Sequence, residues 1–206
     1  MPLDLKKELE HLYNPSAKQP AIVDVPAMNF LMIDGAGDPR TAQGYRDAVQ
    51  ALYSLSYALK FLLKKGEGGV DYAVLPLEGL WWADDMAGFS LDRRGDWRWT
   101  MMIAQPEWIT ADLVQAALAQ VARKRDAPVA LPQIRFEAYH EGLSAQIMHI
   151  GPYAAEAPTI AALHQFIHEQ GYALRGKHHE IYLGDPNKTQ PENLKTVIRQ
   201  PVAPAS

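Results

Sequence analysis

A short run near the C-terminal end of the sequence places a carboxylate where it could do chemistry. The run alternates like a β-strand, so one face carries His178, Glu180 and Tyr182 and the opposite face carries His179, Ile181 and Leu183. Burying Glu180 without a partner would cost several kcal/mol. Glu180 is therefore the first candidate for a group that meets a cationic or electrophilic ligand.

The composition is that of an ordinary globular protein and excludes all cysteine chemistry. The 206 residues are 48% hydrophobic and 21% charged, with a formal net charge of −4. This length allows one large domain or two small ones. Because the chain has no cysteine, disulfides, thiolate metal sites and a cysteine nucleophile are all ruled out.

The charge pattern and the apolar runs argue against nucleic acid and membranes as partners. The longest basic cluster, residues 123–125, is too short for a nucleic-acid footprint and suits the end of a helix. No apolar run approaches the roughly 20 residues of a membrane span. The N-terminus lacks the apolar core of a signal peptide. We therefore expect a cytoplasmic protein.

The first half of the sequence predicts two helices and three strands. A helix over residues 4–13 ends at Asn14-Pro15. Thr41 is the predicted N-cap of a long helix with an apolar stripe, which ends at Lys64-Lys65 and the following glycines. The strands are predicted at residues 26–34, at about 71–77 with a continuation into 78–82, and at 96–104.

The second half predicts two more helices and two pairs of strands. Thr110 is the predicted cap of a helix over residues 110–124, and another helix covers residues 155–169. The strands are predicted at residues 133–139, 144–150, 178–183 and about 194–199. Glu141-Gly142 joins the first two as a hairpin, and the tail after Pro201 is expected to fray.

The order strand, long helix, strand, strand occurs twice, which predicts a duplicated α+β fold. Residues 1–206 would form a single domain, with a first half at about 20–108, a second half at about 130–201 and an inserted helix at 110–124. Two such halves would enclose a cleft at a pseudo-twofold axis.

Four segments of the sequence resemble the GyrI-like small-molecule-binding family, in particular its stand-alone members of similar length. They are residues 33–39, 77–82, 146–153 and 178–186. The resemblance covers nearly all of residues 20–201 and implies tandem βαββ modules, also called SHS2 modules, around a central cleft. It also implies a glutamate on a strand of the second module at the cleft floor, and its Glu-Ile-Tyr element maps that glutamate onto Glu180.

The resemblance implies two different functions. Some relatives are effector-binding domains of multidrug-responsive regulators, which need a helix-turn-helix segment ahead of the binding domain. Only about two dozen residues precede the first predicted strand, so a free-standing protein is expected. Others are free-standing, and some of these hydrolyse strained cyclopropane-bearing genotoxic compounds.

The first hypothesis is a binding protein that captures hydrophobic, often cationic or electrophilic, small molecules, in xenobiotic or toxin protection. The second is a cofactor-free hydrolase in which Glu180 activates water, with burial raising its pKa towards neutrality. A third, an interaction subunit that passes a ligand signal to another protein, stays open.

Tryptophans offer a flat wall for such a ligand. Trp81 with Trp82 and Trp97 with Trp99 could stack on an aromatic or cationic group, and the alternative is core packing. Neighbouring rings on a strand point opposite ways, so one of Trp81 and Trp82 is expected in the core.

The remaining binding candidates are polar or aromatic residues near predicted strand ends. Glu78 is either a first-half counterpart of Glu180 or a solvated strand end. Tyr182 shares a face with Glu180 and could hold the carboxylate or the ligand. Tyr139, Tyr153 and His149 are weaker candidates, since each could equally be a satisfied residue at a sheet edge.

The sequence predicts neither a metal nor a cofactor. His164 and His168 have the i, i+4 spacing of a helical metal pair, but they flank the apolar stripe on its solvent side and lack a third ligand. None of the serines lies in a Gly-x-Ser-x-Gly elbow. The glycine-rich pieces at 35–37 and 66–69 lack the spacing of a phosphate loop. Binding is therefore expected to survive chelation.

Overall fold

The α+β class predicted from the sequence is confirmed. The computed structural model describes residues 3–66, 69–83 and 94–205. Its helices are α1 Leu5–Glu8, α2 Glu10–Tyr13, α3 Gln43–Lys65, α4 Ala111–Ala122 and α5 Ala157–Glu169. Its strands are β1 Ala21–Ala36, β2 Leu77–Trp82, β3 Arg98–Gln105, β4 Arg135–Ile150, β5 Tyr172–Leu174, β6 His178–Tyr182 and β7 Lys195–Pro204.

The chain forms two compact units, and β1 and β4 contribute residues to both. Unit 1 comprises Met1–Leu5 and Met28–Tyr139, and unit 2 comprises Lys6–Ala27 and His140–Ser206. The predicted duplication and the predicted cleft stay predictions.

In unit 1, three antiparallel strands form a set in which β2 and β3 contact α3. β3 pairs with β1 on one side and with β2 on the other. The stripe predicted for α3 is buried through Ala48, Leu52, Leu55 and Leu59, because residues three and four apart share one helix face. At the end of α3 the Gly66 amide donates to the Leu62 carbonyl at 3.0 Å.

The Thr110 cap of α4 is confirmed. The Thr110 hydroxyl accepts a hydrogen bond from the Leu113 amide at 3.3 Å, which satisfies one of the free amides of the first turn. The buried face of α4 consists of Val114, Ala117 and Val121. Leu113 and Leu118 are only partly buried.

In unit 2, β7 is the central strand of an antiparallel set. It pairs with β4, β6 and β5. One face of this set packs against α5 through a core of aliphatic residues: Ala145, Ile147, Leu163, Ile167, Ile198 and Val202. The sheet register places His178, Glu180 and Tyr182 on this same face, because Glu180 pairs with Ile198, which in turn pairs with Ile147.

The opposite face of the unit 2 sheet holds the N-terminal segment. Leu12 and Tyr13 of α2 are buried. The Leu12 carbonyl accepts a hydrogen bond from the Arg199 guanidinium at 2.7 Å, and the His11 carbonyl accepts one from the Gln146 amide at 2.6 Å. Polar side chains of β4 and β7 therefore hold a short helix that has few hydrogen bonds of its own.

Several predicted elements of the first half are wrong in detail. The helix over 4–13 is divided into α1 and α2 at Leu9. Thr41 is not a cap, since α3 begins after Ala42 without a side-chain cap. The predicted strand at 71–77 is an isolated bridge between Leu3 and Tyr72, and the strand proper is β2. The error in the strand arises because partners distant in sequence decide strand pairing.

Two predictions in the second half are also wrong. Glu141-Gly142 is not a hairpin, because β4 continues through it with Gly142 at φ +71°, and a left-handed glycine inside a strand is typical of a bulge. The tail does not fray before Pro204, since Val202, Ala203 and Pro204 pair with β5. Sheet pairing includes both prolines of this segment, since Pro201 pairs with Ser144 of β4 and Pro204 pairs with Tyr172 of β5.

Candidate functional site

Both oxygens of the Glu180 carboxylate accept hydrogen bonds along β6. Nε2 of His178 lies 3.1 Å from Oε1 and the Tyr182 hydroxyl donates to Oε2 at 2.7 Å. This contact arises from the strand itself, because residues two apart project from the same face. The predicted grouping of these three residues is confirmed.

The surroundings of this carboxylate are aromatic and aliphatic. The Tyr153 ring packs edge to face on the Tyr182 ring, with centroids 5.6 Å apart. Ile198, which pairs directly with Glu180 in β7, is fully buried. Glu180 nevertheless keeps 16% of its side-chain surface exposed, so the side chain is not completely enclosed.

The pKa of Glu180 is lowered, which corrects the expectation that burial would raise it. Burial does raise this pKa, but the hydrogen bonds from His178 and Tyr182 and the charge of His178 outweigh it. A hydrogen bond donated to a carboxylate stabilises its charged form. Glu180 is therefore an ionised carboxylate, which suits electrostatic attraction of a cation and makes it a weak base.

His149 lies on the same face of the unit 2 sheet. The register pairs it with Thr196, which pairs with Tyr182. Nδ1 of His149 lies 2.9 Å from the Thr159 hydroxyl at the start of α5, and the ring is almost completely buried. A role for His149 in binding stays a prediction.

A second glutamate lies on the opposite face and was missed in the sequence. The Glu141 carboxylate lies 2.9 and 3.0 Å from Nδ1 of His179, and the Arg199 guanidinium donates to it at 3.1 Å. Arg199 also donates to the Gln146 side chain at 3.0 Å. The signal in the sequence was the adjacent pair of His178 and His179. Neighbouring side chains on a strand project to opposite faces, so His179 needed a partner on the face away from Glu180.

Burial of Glu141 raises its pKa, but the charges and hydrogen bonds of His179 and Arg199 lower the pKa to about 2. The carboxylate is thus fully charged, and a guanidinium compensates that charge inside unit 2.

The tryptophans of unit 1 divide between the core and a second face. Trp81 is 3% exposed. Its ring stacks on Tyr45 of α3 at 6.2 Å and meets the edge of Trp97 at 5.4 Å. Trp82 is partly exposed on the opposite face. The prediction that one of the pair lies in the core is confirmed, and a ligand-binding role for Trp81 and Trp82 stays a prediction.

Gly35, within the first family-like segment, is required by this aromatic packing. It pairs with Trp99 across β1 and β3. A Cβ atom at Gly35 would lie 2.1 to 2.7 Å from atoms of the Trp99 indole. The glycine therefore makes room for the ring.

The other candidates of unit 1 are Glu78 and Tyr139. Glu78 is 1% exposed, so the alternative of a solvated strand end is wrong. The Tyr139 ring meets the edge of Phe30 with centroids 6.3 Å apart. Their roles in binding stay predictions.

The histidine pair of α5 does not gather further ligands. His164 is partly buried and His168 is exposed. Burial, followed by the charges of His178 and His168, lowers the pKa of His164. Among residues 3–66, 69–83 and 94–205, three or more potential metal ligands are nowhere grouped. In the same part of the chain, no helix has both the length and the apolar character needed to cross a membrane.

Residues 18–203 match the family model of the GyrI-like small molecule binding domain. The chain belongs to this GyrI-like family. It therefore carries a small-molecule-binding domain over nearly its whole length.

Three crystal structures of Listeria innocua proteins are similar to the chain. In each case the similarity covers 98% of this chain and 100% of the Listeria chain. An uncharacterized conserved protein has a TM-score of 0.89 at 41% identity. Two structures described as hydrolases have TM-scores of 0.86 at 40% identity and 0.84 at 39% identity. No curated protein matches the chain. The GyrI-like fold predicted from the resemblance is thus confirmed.

Proposed function

We propose that this GyrI-like protein captures hydrophobic, often cationic or electrophilic, small molecules at Glu180, in protection against xenobiotics or toxins. The observation that carries the proposal is the ionised carboxylate of Glu180, on a side chain that is 16% exposed, beside Tyr182 and the Tyr153 ring that packs on it. A cytoplasmic location and the absence of a nucleic-acid partner stay predictions.

The physical basis is the strength of a charge in an environment of low dielectric. A carboxylate surrounded by aromatic and aliphatic groups attracts a cation more strongly than it would in water. The faces of aromatic rings add attraction for the same cation. Neither interaction requires a particular ligand shape, so such a site would bind a broad set of lipophilic cations.

Substitutions in unit 1 test whether its predicted binding residues contribute to ligand affinity. The predicted binding residues of unit 1 are Trp81, Trp82, Glu78 and Tyr139. The affinity of a single-substitution variant at each is compared with that of variants at Tyr153 and Tyr182 of unit 2. Loss of affinity in Trp82→Ala would support a wall for stacking. An unchanged affinity in substitutions at all four positions would restrict the binding residues to those of unit 2.

The test is the affinity of rhodamine 6G, a lipophilic cationic dye, for the wild type and for Glu180→Gln. Removing one partner of a poorly solvated charge pair costs about 2 kcal/mol or more, so the dissociation constant should rise roughly 30-fold. Circular dichroism checks that the fold is retained.

The matched control is Glu192→Gln, which changes the net charge equally at an exposed position of unit 2. It should bind the dye like the wild type. Equal affinities of Glu180→Gln and the wild type would refute the proposal.

A second candidate function is hydrolysis of strained, electrophilic compounds without a cofactor. It is favoured by the two structures described as hydrolases, at 39% and 40% identity. Because the pKa of Glu180 is lowered, this carboxylate would act mainly by orienting a water molecule and stabilising positive charge that develops on the substrate. General-base catalysis by Glu180 would be weak at neutral pH.

Turnover distinguishes hydrolysis from binding. The protein is incubated with an excess of a cyclopropane-bearing alkylating agent, and the water-added product is quantified by mass spectrometry. Product in large excess over protein, lost in Glu180→Gln, supports the hydrolase. Stoichiometric retention of intact compound supports binding alone.

A further inference from the structure

We infer that His178 is a positioning residue, which fixes the Glu180 carboxylate for ligand capture without contacting the ligand itself. The inference rests on the proposed function of Glu180, and it adds a residue that the resemblance to the family does not assign.

The protonation states of His178 and Glu180 decide which of the two donates the hydrogen bond. Because Glu180 is an ionised carboxylate, it can only accept hydrogen bonds. Nε2 of His178, 3.1 Å from Oε1, must therefore carry the proton and donate it. The Tyr182 hydroxyl donates to the other oxygen. The carboxylate is held from both directions along β6.

The two donors leave Glu180 little freedom to rotate. A turn of the carboxylate about its last side-chain bond would lengthen both hydrogen bonds at once. Ile198 lies directly opposite Glu180 in β7 and is fully buried. Such preorganisation lowers the entropy lost when a ligand binds.

The exposed fractions of the side chains separate the two roles. Glu180 is 16% exposed, whereas His178 is 6% exposed. A ligand that reaches the carboxylate therefore has little access to the imidazole. His178 acts on the ligand through Glu180.

Two amide variants test this role because their side chains differ only in length. In His178→Gln the side-chain nitrogen can lie close to the position of Nε2 and donate the same hydrogen bond. In His178→Asn the amide is one carbon shorter and stops near the position of Nδ1. Both variants remove the imidazole and any charge it carries.

Two measurements are made on both variants. With rhodamine 6G, His178→Gln should bind within about threefold of the wild type, while His178→Asn should bind about tenfold more weakly, because the Glu180 side chain must then be immobilised when the ligand binds. Without ligand, NMR titration of ¹³C-labelled glutamate carboxyls should show a higher Glu180 pKa in His178→Asn than in the wild type, with His178→Gln closer to the wild type.

The outcomes separate the inference from the proposed function. Identical Glu180 titration in the two variants, together with identical affinity, would overturn the positioning role. If Glu180→Gln leaves dye affinity unchanged while His178→Asn still raises the Glu180 pKa, the proposed function fails and the positioning role stands. If His178→Asn does not fold, the titration of His178→Gln decides: a pKa near that of the wild type supports the inference, and a clearly raised pKa overturns it.

Discussion

Two adjacent histidines of β6 contact two different glutamates, and the two pairs differ in exposure and in the charge around them. His179 contacts Glu141 inside unit 2, where the Glu141 side chain is 1% exposed and Arg199 provides a guanidinium. His178 contacts Glu180, whose side chain is 16% exposed and whose other partner is the phenol of Tyr182.

β6 thus contributes one histidine to an enclosed glutamate and the other to a partly exposed one. Glu141 is enclosed by a complete set of partners, including a permanent cation, so no ligand can improve its surroundings. Glu180 has partners that keep it ionised, but an imidazole and a phenol compensate its charge less completely than a guanidinium does. A ligand cation can complete that compensation.

The largest expected effect is the loss of stability when the Glu141 charge is removed. Glu141→Gln leaves Arg199 buried without its carboxylate, which should lower the free energy of unfolding by about 3–5 kcal/mol. Glu180→Gln leaves no buried guanidinium behind and should cost about 1 kcal/mol. Urea denaturation measures both, and equal losses would contradict the distinction between the two glutamates.

Acid should weaken the fold through both carboxyl groups. The pKa of Glu141 is lowered from 4.5 to about 2, and that of Glu180 is also lowered. A carboxyl group whose pKa is lowered by folding stabilises the fold fully above its pKa in the unfolded chain. This stabilisation is lost as the pH falls through its pKa in the folded protein. Stability should thus decrease between about pH 4.5 and 2.

The measurement is the urea midpoint of the wild type and of Glu141→Gln from pH 6 downwards. The variant lacks the Glu141 carboxyl group, so its midpoint should fall less steeply in the acid range. Parallel curves for the two proteins would show that Glu141 does not have the lowered pKa.

The smallest effect concerns the second donor to Glu180. Tyr182→Phe removes one hydrogen bond but keeps the ring that packs on Tyr153. Because the Glu180 carboxylate is then less well preorganised, rhodamine 6G affinity should fall about fivefold, corresponding to about 1 kcal/mol, and the melting temperature should change little.

Tyr172→Phe is the matched control, since Tyr172 packs against the aliphatic core of unit 2 rather than beside Glu180. Its affinity for the dye should equal that of the wild type. A similar loss in both tyrosine variants would mean that the Tyr182 hydroxyl has no specific part in binding.

Features that depend on neighbouring residues were predicted well from the sequence. The Thr110 cap and the apolar stripe of α3 need only the helical period and one side chain. The shared face of His178, Glu180 and Tyr182 follows from alternation along a strand. The same argument predicted that Trp81 and Trp82 would point in opposite directions.

Features that depend on distant partners were not predictable in this way. Glu141-Gly142 has the composition of a turn, yet contacts with His179 and Arg199, 38 and 58 residues away, place Glu141 inside a continuous strand. The tail at 202–204 has the composition of a frayed end, yet pairing with β5 makes it part of a sheet. In both cases, long-range contacts outweighed local preference.

The sequence by itself determined which residue would be the central carboxylate and which two side chains would flank it, because strand geometry alone places them together. Only the tertiary structure decided the charge of Glu180. Burial and hydrogen bonding change its pKa in opposite directions, and the distances to His178 and Tyr182 make hydrogen bonding prevail.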